Sequence, residues 1–555
     1  MEQLFEQALR SQMSGRLAEA EDMYRAVLEL DPGQAVVHFN LGIVLRHQGR
    51  LVEATIAYGR ALELQPEFPE AENNLGTVLA SLGRLDESAS VLERLLERKP
   101  DFANAWNNLG GALKDLGRAR DAIRCFERAN RLQPANAAFH SNLVFAMHYS
   151  PDHGPRALLR EARRWNREHA GVLMGDPPPL VNEADPDRRL RVGYVSAHFR
   201  EHCQALFLAP LLESHDRAGV EVTCYSDSTS EDAVTARLRG HADRWRRTAD
   251  LSDERLAELV RADGIDVLVD LSLHMARQRL LVLARRPAPV QVVWLGYPGT
   301  TGMDGLVRFT DPWLDPPGAG DALYSEESLR LPDSFWCYDP LADGPAVGSL
   351  PALASGRVTF GCLNNFCKVN PGVLRMWRRV LERVPDSRMM ILAPPGDARR
   401  RVVRELGVGP ERVEFVEFAL RPDYLRHYLG IDLCLDTSPY NGHTTTLDSL
   451  WMGVPVVSLS GVTVVSRAGR SMLGNLGLSE LATSTEKEFV DTAVALATDL
   501  PRLAALRAGL RERMRASPLM DGPRFARGIE EAYRTLWRRW CAGRGGSLSP
   551  RGVRS

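Results

Sequence analysis

The chain has 555 residues, of which 25% are charged and 44% hydrophobic, and its formal net charge is −2. This balance is typical of a multidomain globular protein, and it argues against a nucleic-acid-binding protein, which carries a basic excess. The sequence holds no apolar run of about 18 residues that would predict a membrane span, no signal peptide and no CxxC pair, so we expect a cytoplasmic protein without a structural metal.

The first 148 residues carry an internal repeat. Prolines recur every 34 residues, at Pro32, Pro66, Pro100 and Pro134, and small and large apolar residues keep the same period. This is the tetratricopeptide pattern, in which each repeat forms two helices. Such repeats stack into an α-solenoid with a concave face, so we predict a repeat domain over residues 1–148.

Four asparagines share the period of the repeats: Asn40, Asn74, Asn108 and Asn142. Their amides could hold the backbone of an extended peptide by paired hydrogen bonds. Alternatively, they cap neighbouring helices. We favour peptide binding.

A charged, proline-containing linker is predicted over residues 149–189, followed by a first α/β lobe over 190–341. In this lobe, strand-like segments alternate with helical ones, which indicates a parallel sheet with helices on both faces. Ligands in such folds bind at the carboxyl ends of the strands. His202 and His274 follow two of these strands. Either histidine could act as a general base, although a lone loop histidine is more often a solvated side chain.

Residues 342–356 are rich in proline, glycine and alanine, which predicts a linker between lobes. A second α/β lobe is predicted over 357–542, followed by a disordered basic tail over 543–555. Two such lobes in series describe a GT-B-type architecture.

The second lobe contains a polar segment, Asn441 to Asp448, between a strand-like stretch and a helix-like one. A helix N-terminus offers free N–H groups and partial positive charge, and the hydroxyls of Thr444 to Thr446 add donors that suit a diphosphate. We place Asp448 in the first helical turn, within reach of a ribose hydroxyl. The alternative is an ordinary threonine N-cap on a buried crossover.

Lys368 follows the first strand of the second lobe. A cation there would stabilise the negative charge that grows on a departing nucleoside diphosphate, without a metal ion. The alternative is a solvated surface lysine.

The Asn441–Thr445 run, together with Lys368 and the segments 286–291 and 294–302, resembles the catalytic half of the O-GlcNAc transferases. The resemblance covers nearly the whole chain. It implies an inverting, metal-independent transfer of N-acetylglucosamine from UDP-GlcNAc to serine or threonine of proteins held by the repeats. It also implies catalytic roles for Lys368 and His202.

The same resemblance implies a set of residues that bind the nucleotide-sugar: Asn365, Ala419, Arg421, Tyr424, His443, Thr444, Thr445 and Asp448. Three of these depart from the family pattern. Asn365 stands where the animal enzymes have glutamine, Arg421 replaces lysine, and Tyr424 replaces a histidine that stacks on the base, a role that tyrosine can also fill.

Other segments, 362–371 and 516–523, are similar to the SPINDLY-type O-fucosyltransferases. GDP-fucose and UDP-glucose are therefore alternative donors, although His443 favours a UDP-sugar. A further alternative is a repeat scaffold with an inactive catalytic half. The presence of Lys368 and of the complete 443–448 segment argues against it. The expected partners are protein acceptors and the donor, with no nucleic acid, membrane or cofactor.

Overall fold

The computed structural model describes residues 1–175, 179–318, 320–342 and 344–543. Contacts divide the chain into two compact units, one made of Met1–Ala146 with Ala393–Val402 and the other holding the remaining described residues. The predicted tail lies outside the described residues from position 544 onward. Within the described ranges, no helix combines the length and the apolarity that a membrane crossing needs.

The first unit confirms the predicted solenoid of paired helices. Gly42 faces the ring of Tyr58, and a Cβ on that glycine would lie 2.6 Å from it. Gly76 and Gly110 meet Leu92 and Phe126 in the same way, so the small residue of one helix receives the large residue of its pair. The helices are α1 (Glu2–Met13), α2 (Leu17–Leu30), α3 (Ala35–His47), α4 (Leu51–Leu64), α5 (Pro69–Ser81), α6 (Leu85–Arg98), α7 (Ala103–Asp115), α8 (Ala119–Leu132) and α9 (Ala137–Met147).

The first lobe is built on a seven-stranded parallel sheet in the order β3-β2-β1-β4-β5-β6-β7. Val192 in β1, an inner strand, pairs with Val222 on one side and Val267 on the other. The elements are α10 (Pro155–Trp165), β1 (Leu190–Ser196), α11 (Ala205–Ser214), β2 (Val220–Ser226), α12 (Ala233–Gly240), β3 (Arg244–Arg247), α13 (Asp253–Ala262), β4 (Val267–Asp270), α14 (Leu280–Ala284), β5 (Val290–Val293), β6 (Val307–Thr310) and β7 (Glu327–Arg330).

The second lobe is built on a six-stranded parallel sheet in the order β10-β9-β8-β11-β12-β13. Its elements are α15 (Pro351–Ser355), β8 (Thr359–Cys362), α16 (Pro371–Arg383), β9 (Arg388–Leu392), α17 (Asp397–Leu406), β10 (Val413–Val416), α18 (Arg421–His427), β11 (Leu433–Leu435), α19 (Thr444–Trp451), β12 (Val456–Leu459), α20 (Ala468–Asn475), β13 (Ala482–Thr483), α21 (Glu486–Thr498), α22 (Leu500–Arg515) and α23 (Gly522–Gly543). Two parallel α/β lobes after a helical solenoid match the predicted fold class.

The sequence predicts four strands in the first lobe, over residues 189–196, 220–225, 265–271 and 289–295, so the prediction missed β3, β6 and β7. β3 and β7 are the edge strands, and their Arg-Trp-Arg-Arg and Glu-Ser-Leu-Arg sequences lack the apolar run of a buried central strand. β6 has only four residues and follows a glycine-rich turn, which hid it from pattern reasoning.

The terminal helix α23 corrects the predicted extent of the second lobe. Although it ends the range 357–542, it packs on the first lobe: the Tyr533 hydroxyl lies 3.1 Å from that of Tyr194, and Glu530 lies 2.7 Å from His215 Nδ1. The apolar face of α23 therefore completes the core of the first lobe, a long-range return that no local pattern records.

Candidate active site

Two neighbouring strands of the second sheet bring the predicted site together. β8 and β11 are paired in parallel, with Phe360 opposite Leu433, so their carboxyl ends meet at one edge of the sheet. Lys368 lies beyond the end of β8, and residues 436–443, which we call the 436–443 loop, leave the end of β11. This edge is where open α/β sheets bind their ligands.

Asp436 fixes the shape of the 436–443 loop. Its buried carboxylate accepts hydrogen bonds from the Gly442 N–H at 2.7 Å, the Ser458 hydroxyl at 2.6 Å and the Asn364 amide at 3.1 Å. Burial raises the pKa of Asp436, and these bonds oppose the shift. The shape of the loop is thus held by a polar network.

Lys368 lies against this loop. Its Nζ donates to the Asn441 carbonyl oxygen at 2.7 Å and lies 4.4 Å from the centre of the Tyr440 ring. The side chain is half-buried, and burial lowers its pKa, with Cys367 and Asp436 opposing the shift. The ammonium is therefore a positioned cation and differs from the solvated lysine of the alternative interpretation.

His443 caps α19 and is only 8% exposed. Its ring centre lies 5.1 Å from that of Trp336 and 4.9 Å from that of Tyr440. Burial, with the nearby Lys368, lowers its pKa well below the ordinary value, so the imidazole is neutral at physiological pH. Its Nε2 atom is buried and has no hydrogen-bond partner among the described residues, so it has the capacity for one further hydrogen bond.

The three threonines at the start of α19 differ in their availability. The Thr445 hydroxyl donates to Asn364 Oδ1, and the Thr446 hydroxyl donates to the Gly442 carbonyl oxygen at 3.0 Å. In this structure, these two hydroxyls are therefore bonded within the protein. The Thr444 hydroxyl lies against the Cys203 thiol, and the N-terminus of α19 receives no hydrogen bond from the side chain of its capping residue.

Asp448 lies one turn deeper than predicted. Since α19 begins at Thr444, Asp448 is its fifth residue and belongs to the second turn. It is 1% exposed, and its Oδ1 accepts from the Tyr338 hydroxyl at 2.6 Å and from Arg421 at 2.7 Å. Arg421 also donates to the Pro340 carbonyl oxygen at 2.6 Å, so both residues are bonded within the protein.

The remaining predicted nucleotide contacts are Tyr424, Ala419 and Asn365. The Tyr424 hydroxyl lies 2.7 Å from that of Tyr428, which donates to the Thr445 carbonyl oxygen at 3.1 Å. Ala419 lies between β10 and α18, next to Phe418, which is 86% exposed. Asn365 is exposed and accepts a hydrogen bond from the Cys367 N–H at 3.3 Å.

The loop after β1 carries His202 towards the same region. His202 stacks on His198 with ring centres 4.0 Å apart, and burial lowers the pKa of His202 to about 3. Burial raises the pKa of the adjacent Cys203 thiol, and Lys368 and the Thr444 hydroxyl oppose this shift, so the loop adjoins Lys368 and the start of α19.

His274 has a different environment. It is fully buried, with its Nε2 atom 3.1 Å from the Thr301 carbonyl oxygen and its ring against Trp165. His274 is a core residue of the first lobe. It is therefore neither a solvated loop histidine nor a general base, the two roles predicted from the sequence.

The four predicted asparagines of the repeats lie in the first unit, and three of them bond to a neighbouring asparagine that is not one of the four. Asn108 donates to Asn73 Oδ1 at 2.9 Å, and Asn142 donates to Asn107 Oδ1 at 2.8 Å. Asn74 accepts from Asn73 at 3.5 Å, while Asn40 donates to the Val36 carbonyl oxygen in its own helix. The later members thus link successive repeats, which the helix-capping alternative did not foresee.

Sequence reasoning missed three residues that shape this site. Asn364 and Asp436 follow apolar strands at the ligand-binding edge, so the rule that identified Lys368 could have found them. Tyr338 left no comparable signal, because it follows the last strand of the first lobe and meets Asp448 only through the tertiary fold.

Two parallel α/β lobes, with polar side chains gathered at the carboxyl edge of the second, define a GT-B-class protein. The chain belongs to glycosyl transferase family 41, whose profile matches residues 171–341 and 349–529. Tetratricopeptide repeat profiles match residues 5–72, 45–113 and 103–136.

The chain is similar to proteins from plants and bacteria. A Solanum lycopersicum protein named probable UDP-N-acetylglucosamine–peptide N-acetylglucosaminyltransferase SPINDLY is 38% identical over 74% of this chain and 45% of that protein. An Arabidopsis thaliana protein of the same description, SEC, is 31% identical over 64% of this chain and 38% of that protein. The chain thus spans about half the length, or less, of these curated relatives.

A solved structure covers more of the chain. A mutant form of the Thermobaculum terrenum O-GlcNAc transferase is 38% identical, covers 92% of this chain and 98% of its own, and superposes with a TM-score of 0.85. This likeness supports the same order of repeats and lobes.

Proposed function

We propose that the protein is an inverting, metal-independent O-glycosyltransferase that moves N-acetylglucosamine from UDP-GlcNAc to serine or threonine hydroxyls of proteins. One observation carries this proposal: the Lys368 ammonium lies against the 436–443 loop that leads into the N-terminus of α19. A cation and a helix N-terminus aimed at one place suit a diphosphate whose charge grows as the sugar bond breaks.

In this proposal each group has a distinct task. Lys368 and the N–H groups at the start of α19 neutralise the diphosphate, and neutral His443 donates or accepts one hydrogen bond through Nε2. Thr444 and Thr445 line the same end. The acceptor hydroxyl attacks the anomeric carbon from the side opposite the diphosphate, so the configuration inverts.

His202 is the candidate for the base that removes the acceptor proton. Its lowered pKa of about 3 makes it a weak base in the free protein. Donor binding changes the charge near this ring, and a bound diphosphate would raise its pKa towards the useful range.

The asparagine ladder of Asn40, Asn74, Asn108 and Asn142 is the proposed binding surface for protein acceptors. The inter-repeat bonds of Asn108 and Asn142 fix the amide orientation while leaving hydrogen-bonding capacity on each side chain. A prearranged row of amides lowers the entropy cost of holding an extended peptide.

O-fucosylation from GDP-fucose is the second candidate. Arg421 and Tyr424, two predicted contacts to the nucleotide, are bonded within the protein. Discrimination between UDP and GDP would therefore depend on the backbone near Ala419. UDP-glucose is a further donor that the same diphosphate site would accept.

A transfer assay tests the proposal. The purified protein is incubated in EDTA with UDP-GlcNAc, UDP-glucose or GDP-fucose and a mixture of proteins, and modified peptides are identified by mass spectrometry. We expect N-acetylhexosamine on serine and threonine. Deoxyhexose from GDP-fucose would replace the main proposal by the second candidate, and no transfer from any donor would support the inactive scaffold.

A further inference from the structure

Tyr338 joins the end of the first lobe to the nucleotide-binding helix of the second. Its side chain is 1% exposed, and its hydroxyl donates to Asp448 Oδ1 at 2.6 Å. Its backbone N–H donates to the Leu519 carbonyl oxygen at 2.6 Å. Hydrogen bonds therefore fix both the backbone and the side chain of Tyr338, so its hydroxyl holds Asp448 in a defined position.

Arg421 approaches the same oxygen from α18. It donates to Asp448 Oδ1 at 2.7 Å, to the Tyr338 hydroxyl oxygen at 2.9 Å and to the Pro340 carbonyl oxygen at 2.6 Å. A guanidinium has five N–H donors in one plane, so these three bonds fix its orientation. The planar guanidinium group therefore donates to the protein, whereas a residue that recognises the base would donate to the nucleotide.

The two donors of this cluster, Tyr338 and Arg421, keep their protons over the physiological range. Burial raises the pKa of Tyr338 well above its ordinary value, and Asp448 raises it further, so the hydroxyl stays a donor. Burial acts to lower the pKa of Arg421, but Asp448 and Tyr338 outweigh it, so the guanidinium stays charged. Two permanent donors thus converge on one carboxylate oxygen.

We propose that Tyr338 and Arg421 are positioning residues that fix Oδ1 of Asp448 and so orient its second oxygen towards the ribose hydroxyls of the nucleotide donor. The inference deepens the proposed function and rests on it. A carboxylate has two acceptor oxygens, and holding one by two charge-assisted bonds sets the direction of the other. Arg421 then acts through Asp448, and its predicted role as a direct contact to the nucleotide is replaced.

A ligand series separates positioning from general structural support. Calorimetry measures binding of UDP and of 2′,3′-dideoxy-UDP, which lacks both ribose hydroxyls, to the intact protein and to the Tyr338→Phe variant. We expect Tyr338→Phe to weaken UDP about 10-fold, the equivalent of one charge-assisted hydrogen bond. The dideoxy compound should bind both proteins with affinities that agree within about 2-fold.

Equal losses for both ligands would overturn the inference, because a collapsed pocket does not distinguish them. No loss for either ligand would overturn it as well. Failure of the unmodified protein to bind UDP at all would instead contradict the proposed function, before any variant is considered.

Two further variants complete the test. Tyr225→Phe removes a similar tyrosine–carboxylate bond, 2.8 Å long, to Asp263 in the first lobe, and it should leave the affinity for UDP unchanged. Arg421→Lys keeps the charge but loses the planar fork, so we expect a smaller loss than for Tyr338→Phe, again restricted to UDP. This variant tests the inference even if Tyr338→Phe does not fold.

Discussion

The asparagine ladder and the 436–443 loop both place polar side chains at defined positions. The two regions differ in whether those polar groups have hydrogen-bond partners within the protein. Asn108 and Asn142 bond to asparagines of the preceding repeat, so their amides hold the stack together. In the loop, the Asp436 carboxylate accepts a hydrogen bond from the Gly442 backbone N–H. The buried Nε2 atom of His443, in contrast, has no hydrogen-bond partner within the described part of the chain. The paired groups stabilise the fold, and the unpaired one is the group that the proposed diphosphate site would use.

The largest expected effect comes from removing the cation beside the loop. Lys368→Ala should lower kcat at least about 100-fold, because a donor aimed at the developing charge is lost. Steady-state transfer from the sugar donor measures it, with circular dichroism to confirm the fold. Lys487→Ala, which removes a surface lysine paired with Asp491, is the matched control and should keep full activity. Similar rates for the two variants would contradict the role of Lys368.

The next largest effect tests the shape of the loop. A Cβ on Gly442 would lie 2.5 Å from Thr446 Oγ1, 2.8 Å from Thr445 Oγ1 and 2.9 Å from Asn364 Oδ1. Gly442→Ala should therefore displace the start of α19 and weaken UDP about 10-fold or more, as expected when helix-terminal N–H groups are misplaced. Calorimetric titration with UDP measures this loss.

A glycine in the repeats provides the opposite case. Gly111 in α7 has no atom within 4 Å of a Cβ, and Gly111→Ala should stabilise the protein by about 0.5–1 kcal/mol without changing UDP affinity. If Gly442→Ala behaved like Gly111→Ala, the packed loop described above would be wrong.

A smaller effect is expected from the ladder. Asn108→Ala breaks its bonds to Asn73 and Thr77, and it should lower the free energy of unfolding by about 1–2 kcal/mol. It should also raise KM for protein acceptors and leave the affinity for UDP unchanged. Denaturant unfolding and acceptor titrations measure the two effects. Glu97→Ala, at an exposed position of α6, is the control. An unchanged KM would remove Asn108 from the acceptor surface.

The last expected effect concerns stability alone, as a dependence of the free energy of unfolding on pH. Burial lowers the pKa of His148 to about 3, of His198 to about 4 and of His443 well below its usual value. These histidines are neutral in the folded protein but bind protons in the unfolded chain below about pH 6.5. Stability should therefore fall as pH decreases from 6.5 towards 5, by up to about 1.4 kcal/mol per pH unit for each histidine.

Denaturant unfolding at several pH values checks this slope. His148→Gln should make the slope shallower by about one proton, since one buried neutral imidazole is removed. An identical slope in the variant would show that His148 is charged in the folded protein.

Features with a local or periodic trace could be predicted from the sequence. The 34-residue period revealed the repeats, and the strand–loop–helix order placed Lys368 and His443 at one edge of the second sheet. Contacts between distant segments left no such trace. The bond from Tyr338 to Asp448 and the packing of α23 on the first lobe join segments that are far apart in the sequence, so they form only in the tertiary fold. The polar edge strand β3 was missed for another reason, because it lacks the apolar pattern of a buried strand.

The most direct test of the central claim is calorimetric titration of UDP and GDP into the protein in the presence of EDTA. We expect UDP to bind without a divalent cation, because Lys368 and the N-terminus of α19 supply the positive charge, and to bind more tightly than GDP. Binding that requires a divalent cation would contradict the proposed diphosphate site. A preference for GDP would contradict the UDP-GlcNAc donor and favour O-fucosylation.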